Sequence, residues 1–398
     1  MRGSSTRFGQ GSMRHSYMVS FVGEHGLTTF TGILAILSTI IGGGIVSLPY
    51  AFVSVGLPLG IFLNIFGVLT TIFSIDLYLA AKEIIPDKPE SYYEMGYMVQ
   101  GRNSIFSVGF IQFINAFFLC ILYFIVFGDT TAQLMANLFN DGVQDPFWTE
   151  RYFYDLILGA CMLPVVLKKE LAELEWLSWV LFASIGIFVI LNLWQLLFDK
   201  NFSSQAAGLH KDEDIWLPNH GFGRTLNAVS VVMVAYSYQC NLFPIYTSLR
   251  EKTNEQYMKV NNYGLLLTLF IYITVAIISV AMFGVDVGSV VLENIGQARH
   301  NGKAFWEGYI TQLAFVILLA CHIPFIFFAG KEGLLIIVDE IDRRSISNAL
   351  FHKLYATNEY FEKEHKEDMP PAPELPIPGG DEKIMDFDDK PKDAEQVR

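Results

Sequence analysis

The chain has 398 residues, 52% of them hydrophobic and only 17% charged, with a formal net charge of -13. A soluble chain of this length would carry charges through every helix. Here they cluster between long apolar runs, the composition of a polytopic membrane protein. Much of the negative charge sits in a C-terminal tail and in short loops, and there is no basic face, so nucleic acid is not expected as a partner. Cys120, Cys161, Cys240 and Cys321 all fall inside apolar runs without disulfide or metal-ligand spacing, so they read as small buried residues and no metal is expected.

Residues 1–26 are polar and contain no cleavable signal, so the first span is expected to serve as the targeting signal. That span is interrupted. Within the apolar run from Thr28 to Val53 lies Ser38 to Tyr50, STIIGGGIVSLPY. Gly42, Gly43 and Gly44 are poor helix formers, and Pro49 removes a backbone donor. Freed backbone groups cannot face lipid and must be met by protein, water or a ligand. An interrupted span is how many secondary transporters build a site near the midplane. The plainer reading is that the glycines only let a neighbouring helix approach closely.

Eight helical spans are expected, at roughly 28–53, 57–81, 105–137, 152–167, 176–198, 226–248, 258–284 and 305–329. The fourth is the shortest and carries Pro164. With a cytoplasmic N-terminus, the inner side before the tail holds eleven lysines and arginines against six outside. That asymmetry orients the bundle, with both termini cytoplasmic. Asn201-Phe202-Ser203, a glycosylation sequon, then falls in an outer loop. The transmembrane domain is read as 27–341 and the tail as 342–398. Ile346, Leu350 and Leu354 would share one face of an interfacial helix, and Pro370 to Gly380 opens an acid-rich stretch that cannot fold on its own.

The sixth span reads LNAVSVVMVAYSYQCNLFPIYTS from Leu226, with Tyr236, Ser237, Tyr238, Gln239 and Asn241 in its middle and Pro244 after them. Interruptions in spans one and six point to two inverted five-helix repeats around a central site. Alternatively, such polar groups hydrogen-bond neighbouring helices, at about 1 kcal/mol per contact.

The stretch Ile41 to Ala51, IGGGIVSLPYA, resembles the first-helix signature of the amino acid/auxin permease family, and Phe243-Pro244-Ile245-Tyr246 resembles its sixth helix. The nearest branch is that of the neutral amino acid transporters. The resemblance implies an all-α bundle of the leucine-transporter type, eleven helices in full-length members, and amino acid substrates. This sequence is expected to stop three helices short of that, as a truncated or a divergent short member. The resemblance further implies that amides of Gly42, Gly43 and Gly44 hold a substrate carboxylate, and that carbonyls near Tyr236, Tyr238 and Gln239 meet its ammonium. Tyr236 and Tyr238 could gate the cavity or simply pack.

Two ion-coupling candidates follow from the same resemblance. Ser38 stands where sodium-coupled relatives place an asparagine, and Ala320 and His322 stand where they place threonines. Alanine offers no oxygen and histidine is a poor sodium ligand, so the coupling ion is left as H+ or Na+. His322 could carry a proton, or rest neutral against a carbonyl freed by Pro324. Asn115 reads as a packing hydrogen bond, and Asp76 as an interfacial carboxylate.

Enzyme signatures are lacking: Gly296 to Lys303 has one residue too many for a phosphate loop and Ala304 in place of its hydroxyl. No enzyme activity and no cofactor are expected. The leading reading is a secondary active transporter moving amino acids, neutral ones first, by alternating access in a plasma or vacuolar/lysosomal membrane. Its partners would be the amino acid and the lipid bilayer, with protein partners unknown. The alternative is a transporter-derived, non-transporting structural or sensing subunit.

Overall fold

The computed structural model describes residues 27–85, 88–139, 147, 150–166, 175–198, 213–216, 221–300, 303–304, 306–344 and 346–351. The polar N-terminal segment, the Asn201 sequon, Leu354 and most of the tail lie outside them. Contacts group Met1–Leu350 into one unit and Phe351–Arg398 into another, of which only the first residue is described.

In chain order the helices are α1 (Thr29–Ile40), α2 (Gly44–Val55), α3 (Leu57–Ile84), α4 (Tyr92–Gln100), α5 (Asn103–Phe139) and α6 (Arg151–Val166). They continue with α7 (Glu175–Phe198), α8 (Phe222–Ala235), α9 (Leu242–Ser248), α10 (Asn254–Phe283), α11 (Val291–Gln297) and α12 (Trp306–Arg343). A single helical turn occupies Glu213–Trp216. Residues expected to form a plain outer loop include a two-residue antiparallel pairing, Arg299 opposite Ala304 and His300 opposite Lys303.

Among the described residues six helices are long and apolar enough to cross a membrane, or seven when the bent pair α1–α2 is taken as one span. The described part of the expected fourth span is α6, 16 residues with a reach of about 24 Å. Pro164 sits in its last turn, and 167–174 lie outside the described residues.

α3 illustrates why these helices need a bilayer. Phe62, Phe66, Leu69, Phe73 and Leu77 recur every three or four residues and are all exposed. Asn64, Thr71 and Ile75 lie on the other face and are buried. In water that arrangement would be inside out; in lipid it places the polar groups where protein can satisfy them.

α5 and α12 pack extensively against each other. Small residues permit it: a Cβ added to Gly333 would lie 2.8 Å from the Gly109 carbonyl oxygen. At one end of this pair Arg102 meets the buried Glu340 carboxylate at 2.6 Å, and the same carboxylate accepts from the Ser347 amide at 3.0 Å. Leu350 of the short helix at 346–351 is buried. Next to α1, Leu27 is tied to the end of α9 through its amide to the Ser248 carbonyl, 2.8 Å, and its carbonyl to the Arg250 amide, 3.0 Å.

Candidate functional site

The first interruption falls on the glycines. The Ile41 amide still bonds to the Leu37 carbonyl at 2.8 Å, but Gly42 and Gly43 leave the helix and α2 sets off at 63° to α1. Pro49, expected to share in the break, is carried inside α2. The low helix propensity of three consecutive glycines is the local cause.

The second interruption is gentler. α8 ends at Ala235, Tyr236 to Tyr238 are non-helical, a 3-10 turn covers Gln239–Asn241, and α9 resumes at Leu242. Phe222 to Ser248 still forms one span. Pro244 lies in the first turn of α9, where its missing N–H costs no helical bond.

The two interruptions meet. α2 packs along α8, and a Cβ on Gly44 would lie 3.1 Å from the Ala235 Cβ. Tyr272 of α10, fully buried, points its hydroxyl at the Ile40 carbonyl, 3.0 Å, and the Ala235 carbonyl, 3.3 Å. The Gly43 backbone faces the Tyr123 hydroxyl of α5. A Cβ on Gly42 would fall 2.7 Å from both the Tyr123 hydroxyl and the His322 Nε2.

Ser38, like His322, is buried at the first interruption, and its hydroxyl donates to the Leu34 carbonyl at 2.8 Å. His322 is fully buried with its ring edge-on to Tyr123, centroids 5.1 Å apart. The Ser38 backbone faces the imidazole, yet neither ring nitrogen reaches a partner at hydrogen-bonding geometry among the described residues. No bond to a carbonyl freed by Pro324 is formed.

At the second interruption, Tyr236 and Tyr238 are almost wholly buried. Tyr236 donates to the Asn64 side chain at 3.0 Å and Tyr238 to the Asn261 side chain. Thr71 contacts the Tyr236 carbonyl at 3.4 Å. The Gln239 carbonyl accepts from the Tyr92 hydroxyl of α4, a phenol that burial holds well above its ordinary pKa and so keeps as a donor. Asn115 bonds to the Cys240 sulfur at 3.5 Å, close to the sixth-span break. Asp76 is exposed. Tyr123, Tyr272, Asn64 and Thr71 were not singled out in the sequence; their only signal there is a hydroxyl or amide inside an apolar run.

Membrane-length helices, two of them interrupted side by side, define a polytopic bundle of the transporter type. The chain belongs to the family described as "Transmembrane amino acid transporter protein", which matches residues 25–340. It is 26% identical over 260 residues to a rat protein named "Putative sodium-coupled neutral amino acid transporter 11", covering 64% of this chain and 54% of the relative. It is 22% identical over 253 residues to "Vacuolar amino acid transporter 7" of Saccharomyces cerevisiae, 63% of this chain and 48% of the relative. "Amino acid transporter AVT6C" of Arabidopsis thaliana is 24% identical over 322 residues, 78% and 72% of the two chains. The chain thus spans about half the length of the rat and yeast relatives.

Proposed function

We propose that this protein is a secondary transporter carrying amino acids, neutral ones first, across a membrane by alternating access. One observation carries the reading: the interruptions of two spans lie against each other, bridged by Tyr272. A zwitterion needs donors and acceptors a few ångströms apart inside a medium that otherwise offers neither. The first-turn amides of α2, with the positive end of its dipole, suit the carboxylate. Carbonyls at the break between α8 and α9 suit the ammonium. Tyr236 and Tyr238, held by Asn64 and Asn261, shape the backbone there rather than swing as gates. The pairing of spans one and six is read as the centre of an inverted repeat of the leucine-transporter type.

Coupling is assigned to a proton on His322 rather than to sodium. Ser38 offers a hydroxyl oxygen, but Ala320 supplies no side-chain oxygen and the His322 imidazole is a poor sodium ligand. The imidazole sits unpartnered at the break; Tyr123 is the titratable side chain facing it across the α5 interface, and no charged side chain among the described residues acts on it. The test is uptake of radiolabelled small neutral, large neutral and cationic amino acids into liposomes containing the full chain. Uptake of the neutral set driven by an inward proton gradient supports the reading. Absence of uptake for every substrate overturns it in favour of a non-transporting subunit.

A further inference from the structure

We infer that Tyr272 is a positioning residue for substrate: one hydroxyl holds together the carbonyl ends that the two interruptions leave open, so that an ammonium group finds them at a fixed spacing. Ile40 is the last residue of α1 and Ala235 the last of α8. A carbonyl at a helix end has no amide one turn ahead to satisfy it, and at membrane depth it needs another donor. Tyr272 lies 3.0 Å from one and 3.3 Å from the other, with no exposed surface of its own. A phenol has a single hydrogen, so the two oxygens share it and neither is fully satisfied. The ring is fixed edge-on by Tyr236, centroids 5.3 Å apart, which anchors the same hydroxyl to the second break. An arriving ammonium brings three hydrogens to acceptors that were sharing one. Tyr272 therefore sets the distance between α1 and α8 in the empty site and yields part of its bond when the site fills.

This assignment rests on the transporter reading, and the experiment separates the two. Tyr272→Phe keeps the ring and its contact with Tyr236 while removing the hydroxyl. With the full chain in proteoliposomes, binding of tritiated alanine, glutamine and leucine should weaken roughly threefold to tenfold, the worth of one neutral hydrogen bond. The rise should appear in KM with little change in maximal rate. Without any ligand, hydrogen exchange should quicken at 41–44 and at 236–239 together, while amides in the middle of α10 keep their protection. A purely structural loss would instead loosen α10 itself. Unaltered affinity, or exchange that changes at one break and not the other, overturns the assignment. If the wild-type chain binds none of the three amino acids, the transporter reading and the ammonium role fall together, and the exchange comparison still decides whether the tie exists.

Discussion

His322 closes on Gly42 so tightly that a Cβ on the glycine would lie 2.7 Å from the imidazole Nε2. The Tyr123 hydroxyl stands equally close to the same point, and the Tyr123 ring would lie 2.8 Å from a Cβ on Gly43. The glycines of the first span thus serve as more than helix breakers: their missing side chains leave room for two aromatic rings from α5 and α12.

Gly42→Ala should displace both rings, an overpacking cost of about 1–3 kcal/mol. Gly43→Val adds branching against Tyr123 and should abolish amino acid binding while membrane insertion persists. Thermal unfolding in detergent and equilibrium binding check the pair. A Gly43→Val protein that binds normally would return the glycines to helix packing alone.

Removing the Tyr236 hydroxyl leaves the Asn64 side-chain oxygen, fully buried, without that donor. Tyr236→Phe should cost about 1–3 kcal/mol of stability, the penalty of a buried acceptor left unpaired. The double change with Asn64→Leu should recover part of the loss, because both members of the pair are then apolar. A double-mutant cycle on thermal midpoints measures it, and strict additivity would deny the coupling.

His322→Gln supplies a polar amide of similar reach but cannot take a proton near neutral pH. Uptake by the wild type should rise with an inward proton gradient and persist without sodium, and the variant should lose its pH dependence. Flux measured as a function of external pH in both proteins decides the matter. Strict sodium dependence, or an identical pH profile in the variant, would defeat the proton assignment.

Orientation is tested by impermeant thiol labelling in a background lacking the four native cysteines. A cysteine at Ser204 should react from outside and one at Ser91, the N-cap of α4, should not. The opposite pattern would invert the topology.

Spans and interruptions were legible in the sequence because their causes are local. Apolar length sets what can cross a bilayer, and three adjacent glycines stop a helix whatever surrounds them. The described part of the fourth span, Arg151 to Val166, follows the apolar run read from the sequence. Pro49 was given a share in the first break that belongs to the glycines alone, since a proline can ride inside a helix when its surroundings meet the carbonyl it strands.

Tertiary structure alone decided which polar groups gather. Tyr272 lies 232 residues from Ile40 in the chain, and nothing in its own segment distinguishes it from the packed tyrosines around it. Tyr123 is likewise one aromatic among many on α5, set apart only by the face it turns to Gly43. Sequence periodicity ranks the faces of a helix by polarity, but it carries no information on which neighbour each face meets. That choice is made by close packing of the whole bundle, where the carbonyls freed in one helix must be answered by donors brought from another.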